Sequence, residues 1–242
     1  KLAWEKLQSN NIYQNVRGIQ VMTAMNVIDA INKITQHLNH KNPYVYSEAQ
    51  YSIVRLNGFE GLKFLDSLEK PLSDWQQMRL SQAIKTLSHS DFDSICQWLS
   101  NQNQTVINFA LSLIRKFRIH SIHDNVINLL NHQEIDVRIN AIKTLQTIDN
   151  STTMDTLIEI YPKQENLIKV EIIKFINRTG DKSQMPFIKD ILEKERDIYI
   201  LIEVVNLLKK FNDYTHLQEK ATDINLDSKL LTVIKNALHS KL

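Results

Sequence analysis

Residues 122–149 read IHDNVINLLNHQEIDVRINAIKTLQTID. Two short amphipathic helices joined by a polar turn account for this pattern. The first helix carries Val126, Leu129 and Leu130; the second carries Val137, Ile139, Ala141, Ile142, Leu145 and Ile148. Spacings of three and four place these side chains on one face of each helix. A pair this short cannot bury its own apolar face, so it requires a similar pair on either side.

Steps of about 31 residues find those neighbours. From Val126 they reach Ile95 and Phe64 in one direction, Leu157 and Ile188 in the other; from Leu130 they reach Leu99, Leu68, Tyr161 and Leu192. The second helices give a parallel ladder of Val45, Trp75, Val106, Val137, Ile168 and Ile198. Four residues later stand Ala49, Ala110, Ala141, Ile172 and Ile202, with Leu80 one place late. Ile53, Ile84, Ile114, Leu145 and Ile176 follow, and this rung fails at Asn206. A fixed period of this kind predicts an all-α fold, a right-handed α-α superhelix of about seven helix pairs.

The stretch HQEIDVRINAIKTLQTI resembles a HEAT repeat of the armadillo/HEAT-like α-solenoid family. That pattern sets Asp, Val and Arg at the start of the second helix, here Asp136, Val137 and Arg138, with Ala141 and Leu145 following. Asp74 and Asp197 recur at the Asp position and Lys169 at the basic one; Thr105, Leu167, Gln76, Ile107 and Tyr199 depart from the pattern. The resemblance covers residues 18–242. It implies a scaffold that holds another macromolecule on the concave surface lined by its second helices.

Residues 17–242 form a single array in this reading, with residues 1–16 as an N-terminal extension in which Leu2, Trp4 and Leu7 suit a short helix. One long helix is predicted from Arg17 to Asn39, with Val21, Ala24, Val27, Ile28, Ile31, Ile34 and Leu38 inward, as an N-terminal cap. Pro43 and Pro71 stand where second helices open, a position that tolerates proline. The last helix is predicted from Asn225 to His239, with Leu226, Leu230, Ile234 and Leu238 inward, and Lys229 and Lys235 outward.

Composition narrows the function. The apolar fraction of 43% is ordinary for a folded chain, and a net charge of +2 from 29 basic and 27 acidic residues gives no global field toward nucleic acid or membrane. No apolar run reaches the roughly 20 residues that span a bilayer. A single cysteine, Cys96, excludes an internal disulfide framework and matches a reducing, cytoplasmic location; the chain opens on Lys1, which leaves an upstream anchor open. There is no glycine-rich phosphate loop, Cys-x-x-Cys pair or His-Glu-x-x-His motif. No catalytic residue and no cofactor are expected.

Three groups of side chains remain. His89, Asp91 and Asp93 in one inter-repeat turn and His120, His123 and Asp124 in the next are a weak metal-ligand candidate. Asp91 and Asp124 also suit the first turn of a helix. Basic residues near the ends of second helices, Arg55, Lys85, Arg115, Lys116, Arg178, Lys209 and Lys210, with Arg138, Lys143, Lys169 and Lys174 between, form a candidate ladder. A helix C-terminus favours cations for reasons of its own, and Arg138 is equally suited to pair with Asp136 or a carboxylate of the adjacent repeat. Tyr46, Tyr51 and Tyr199 are the aromatic candidates for the same face, whereas Trp75, Trp98 and Cys96 read as packing residues.

These observations lead to a non-enzymatic scaffold that binds a protein through Tyr46, Arg138, Lys143, Lys169, Lys174 and Tyr199. Nucleic-acid binding is the alternative, including the chemistry of HEAT-like bacterial DNA glycosylases, which hold a damaged nucleotide in a basic channel lined by tryptophan and Asp.

Overall fold

Three helices end in the same way, and their ends set the boundaries of the repeats. Asn26, Arg118 and Asn212 take left-handed φ values of 53°, 52° and 61°. In each case the next N–H reaches back five residues: Val27 to Met22, Ile119 to Ile114 and Asp213 to Leu208. This closure satisfies carbonyls that the last turn leaves open, and asparagine enters it at low steric cost.

The computed structural model describes residues 2–223 and 226–239. All regular structure among them is helical. The chain divides into two units, residues 1–125 and 126–242.

In the first unit, α1 (Leu2–Leu7), α2 (Ile12–Ala24) and α3 (Ile31–Thr35) precede α4 (Pro43–Asn57). A run of 3-10 turns over Gly58–Ser67 leads to α5 (Asp74–Ala83), then α6 (Asp91–Trp98) and α7 (Gln104–Phe117). The single helix expected over residues 17–39 is broken: Asn26 closes α2, and a 3-10 turn at Ile28–Ala30 precedes α3. Ile19, Met22 and Ile34 are buried while Ile28 is exposed, so the inward face also differs from the expected one. The N-terminal segment joins the core, where Leu7 packs with Ile19, Met22, Ala30, Ile34, Val45, Ala49 and Ile53. Gly18 permits this contact, because a Cβ there would stand 2.3 Å from the backbone nitrogen of Leu7.

α8 (His123–Asn128) spans the division, and the second unit continues with α9 (Ile135–Leu145), α10 (Thr153–Ile160) and α11 (Asn166–Thr179). It ends with α12 (Met185–Lys194), α13 (Ile198–Lys210), α14 (Tyr214–Ala221) and α15 (Ser228–His239). α15 starts later than expected; Asn225 lies outside the described residues. Leu230, Ile234 and Ala237 are its buried residues, with Leu226 and Leu238 half-buried and Lys229 and Lys235 exposed.

The second helices of both units bury one template. Counting from its first buried residue, each of α4, α7, α9, α11 and α13 also buries the positions four, five, seven and eight places later. These anchor residues are Val45, Val106, Val137, Ile168 and Ile200. The first-helix ladder is buried from Leu68 through Ile95, Leu99, Val126, Leu130, Leu157, Tyr161, Ile188 and Leu192, with Phe64 only half-buried.

Two expected rungs are displaced. In α5 the buried pair Leu80 and Ile84, four apart, puts the anchor position at Gln76, so Trp75 lies one residue outside the core and is 64% exposed. In α13 the anchor is Ile200; Ile198 and Ile202 are half-buried, and Leu208 takes the place where Asn206 fails. A fixed step ignores one-residue changes in loop length, whereas burial on a helix is decided by spacings of four within it.

Candidate interaction surface

Four of the second helices, α4, α5, α7 and α13, start from a side-chain cap, whereas Glu134 and Glu165 before α9 and α11 make no such bond. Asn42 caps α4 by accepting from the Tyr44 N–H at 3.0 Å; Ser73 and Gln76 form a reciprocal capping box at α5; Asp197 caps α13 by accepting from Tyr199 at 2.9 Å. Asn103, the cap of α7, also donates to the carbonyls of Leu68 and Lys70 in the preceding loop at 2.9 and 3.0 Å. In these four helices the cap fixes where the first turn begins.

In four of the six second helices the residue just before the anchor position is large and exposed; in α7 it is half-buried Thr105 and in α9 exposed Asp136. In the first unit the large residues are Tyr44, one before Val45, and Trp75, one before Gln76; in the second they are Leu167, one before Ile168, and Tyr199, one before Ile200. All four are large, and their exposures lie between 62% and 75%. From sequence, Tyr199 stands among the aromatic candidates and Trp75 in the core, and neither Tyr44 nor Leu167 is singled out. The signal was present in Leu80 and Ile84, which fix the register of α5 and turn Trp75 outward.

The basic residues are mostly engaged inside the fold. The Arg138 Nη2 donates to Glu165 Oε2 at 2.6 Å, and one repeat later Lys169 Nζ donates to Glu195 Oε1 at 2.7 Å. Both cations keep only 13% and 14% of their side chains exposed. Lys169 also lies 5.2 Å from the Tyr161 ring centre, and the Tyr161 hydroxyl donates to Glu195 at 3.2 Å. Burial and that carboxylate push the Tyr161 phenol far above its ordinary value. Lys174 pairs with Glu171 on its own helix at 3.0 Å, and Lys143 is exposed.

The C-terminal cations act in the opposite direction along the chain. Lys116 donates to the carbonyls of Ser81 and Ile84, the latter at 2.7 Å; Lys210 donates to the carbonyl of Asn177; Arg178 donates to Gln146 Oε1 at 2.6 Å. Lys116 and Lys210 thus reach backbone carbonyls at the end of the preceding second helix, where intrahelical partners are lacking, and Arg178 reaches a side chain there. Arg55 and Lys85 are exposed.

Among the aromatic candidates, Tyr46 is half-buried, with Lys70 Nζ 4.7 Å from its ring centre. The Arg79 guanidinium covers Tyr51 at 3.9 Å while binding both oxygens of Glu48 at 3.1 Å. Trp98 is buried and donates its indole N–H to Asp66 at 2.7 Å. Cys96 is half-buried, and burial raises its thiol pKa.

The weak metal cluster does not assemble. His89 and His120 are exposed, Asp91 accepts from the Ser88 N–H at 2.8 Å, and buried His123 meets Asp124 at 3.1 Å. Among the described residues no three His, Cys, Asp or Glu side chains stand together as metal ligands. No helix among them is long and apolar enough to cross a membrane.

Residues 123–209 match the family model for HEAT repeats. The X-ray structure of E. coli YibA is similar over 98% of this chain and 91% of its own, with a TM-score of 0.54 and 16% sequence identity. The complex of CpcE and CpcF of phycocyanin lyase from Nostoc sp. PCC7120 gives a TM-score of 0.41 at 11% identity, over 99% of this chain and 93% of that one. No curated protein matches the sequence. The chain has the HEAT-like helical-repeat fold.

Proposed function

We propose that this chain is a non-enzymatic scaffold that binds a protein along the starting edges of its second helices. The observation that supports this reading is the recurrence of Tyr44 and Trp75 in one unit, and of Leu167 and Tyr199 in the other, at one exposed repeat position. Burying a large apolar side chain is worth about 1.5–3 kcal/mol. Aligned exposed groups of this size are the usual anchors of protein interfaces. Tyr44, Trp75 and Tyr199 stand on capped helix ends, so docking there orders little that is not already ordered.

The polar residues take different parts. Tyr199 is an anchor, and Lys143 and Lys174 belong to its polar surroundings in the second unit. Arg138 and Lys169 hold the helices that present them, and Tyr46 supports the corresponding face of the first unit. A nucleic-acid groove would need unpaired cations, and most members of the basic ladder are committed to carboxylates and carbonyls.

The test is affinity capture from lysate with and without nuclease, comparing the wild-type chain with Leu167→Ser/Tyr199→Ser and Tyr44→Ser/Trp75→Ser. A protein retained after nuclease and lost from either double variant, at unchanged melting temperature, is the expected result. Retention that neither variant alters, or material that nuclease removes, would overturn the reading.

A further inference from the structure

In the first unit, the link between α1 and α2, the turn that follows α3 and the start of α4 border a pocket of about 370 Å³. Ser9, Asn10, Asn15, His37, His40 and Lys41 supply most of its polar lining, and no carboxylate belongs to it. Asn15 is buried and donates to the Leu7 carbonyl at 2.6 Å, with the same amide nitrogen 3.4 Å from His37 Nε2. The His37 and His40 rings stand 6.0 Å apart between centroids.

His40 decides what kind of ligand fits. Its Nδ1 accepts from the Asn42 N–H at 3.0 Å. A neutral imidazole has one accepting and one donating nitrogen, so Nε2 carries the proton. Metal ligation needs a lone pair on the coordinating nitrogen, and this ring offers a donor in its place. Ser9 Oγ accepts from the Asn11 N–H at 3.2 Å, which leaves its hydroxyl hydrogen for another acceptor. Lys41 is exposed and adds a cation. Hydroxyl, imidazole and ammonium all call for acceptors, and a tetrahedral oxyanion presents acceptors in several directions at once.

His37 is the member that depends on pH. Burial first, and then the neighbouring His40, lower its pKa against the pull of the Leu7 carbonyl. The other charges at hand are cations as well: Lys41 in the lining, and Lys70, which donates to the His40 carbonyl at 3.5 Å. An anion placed among these groups offsets their repulsion and favours the charged His37 ring.

We propose that this pocket binds a small oxyanion of the phosphate and sulfate class, free or as a monoester, among Ser9, His37, His40 and Lys41, with a proton taken up on His37. The site is independent of the docking edge, whose exposed residues do not line it.

Sulfate is the first probe, because it stays a dianion where phosphate monoesters change charge, near about pH 6. Titrations of the full chain are followed through the histidine ring C–H resonances by NMR, at matched ionic strength, with chloride and acetate for comparison. Sulfate should bind saturably and about tenfold more tightly at about pH 5 than at about pH 8, a factor equal to about 1.4 kcal/mol. The His37 resonance, assigned through His37→Gln, should titrate at a higher pH in sulfate than in chloride. Proton and anion are linked, so the two effects should agree in size. Lys41→Ala should weaken sulfate about tenfold, the worth of one charge-assisted hydrogen bond, and leave the melting temperature unchanged. Methyl phosphate that binds more tightly than inorganic phosphate would assign the site to a monoester; equal or weaker binding would assign it to the free ion.

Absence of saturable sulfate binding would overturn the assignment, as would an equal response to acetate or chloride. So would an affinity that neither pH nor Lys41→Ala alters. His37→Gln should bind sulfate without the dependence on pH. If that variant unfolds, the wild-type histidine titration and Lys41→Ala decide the matter.

Discussion

The Arg138 guanidinium meets the Glu165 carboxylate at 2.6 Å and ties the first turn of α9 to the residue that precedes α11. Lys169 and Glu195 repeat the arrangement at 2.7 Å. Cations that look available for a partner are thereby turned into links between successive helices. Replacing Arg138 by Ala should lower the melting temperature, because it removes a mostly buried alkyl stem as well as the charge pair. Lys143→Ala, on the same helix and exposed, should leave it unchanged. Paired thermal melts by circular dichroism decide this, and equal stability of both variants would return Arg138 to the surface.

The same pair predicts a pH dependence. The hydrogen bond from Arg138 holds Glu165 below the ordinary carboxylate range. A carboxylate lowered in the folded state contributes stability that is full above its unfolded value and is lost as pH falls through its folded one. The difference in melting temperature between the wild-type chain and Glu165→Gln should be largest near neutrality. It should shrink below about pH 4, where an unfolded glutamate takes up its proton. A constant difference down to strongly acidic pH would show that the charge of Glu165 has no part.

α5 offers a direct comparison of surface and core. Trp75 is exposed, and Leu80 is buried under the same helix. Trp75→Ala should change stability by no more than about 0.5 kcal/mol, while Leu80→Ala should cost about 2–5 kcal/mol. Urea unfolding measures both. The reverse order would restore Trp75 to the core ladder and remove it from the proposed edge.

That contrast shows how far the sequence could be read. Helical pairing, and the buried rungs of α7, α9 and α11, follow from Val, Ile, Leu and Ala at spacings of three and four, since helical geometry leaves them one face to share. The exposed edge did not follow, because a ladder of 30- and 31-residue steps assigns Trp75 and Ile198 to the core when each helix sets its own register. Asn26 carried a readable signal for the break after α2, as one of the few residues that enter left-handed geometry readily. Nothing in the spacing of Arg138 or Lys169 separated a surface contact from an internal one. Glu165 and Glu195, which decide it, lie 27 and 26 residues further along the chain.

Gly18 is the point at which the N-terminal helix depends on a missing side chain. A Cβ there would lie 2.3 Å from the Leu7 nitrogen and 2.7 Å from its Cα. These are backbone atoms, so no rotamer change relieves the clash and α1 must move away from α2. Gly18→Ala normally favours a helix by up to about 1 kcal/mol through lower chain entropy in the unfolded state. Here the overlap should outweigh that gain and leave a net loss of about 1–3 kcal/mol. Displacing α1 would also uncover Leu7, which is buried, and free Trp4 from Lys33, which lies 5.1 Å from its ring. The expected result is a lower urea midpoint for Gly18→Ala and faster proteolysis within the first dozen residues. Gly58→Ala serves as a control of different origin: it meets no atom within 4 Å but has a φ of 62°. Its cost should come from backbone strain alone and leave the N-terminal segment protected. Stabilisation by Gly18→Ala would mean that α1 does not pack on α2 through this contact, and that the core of the first unit begins at Ile19 and not at Leu7.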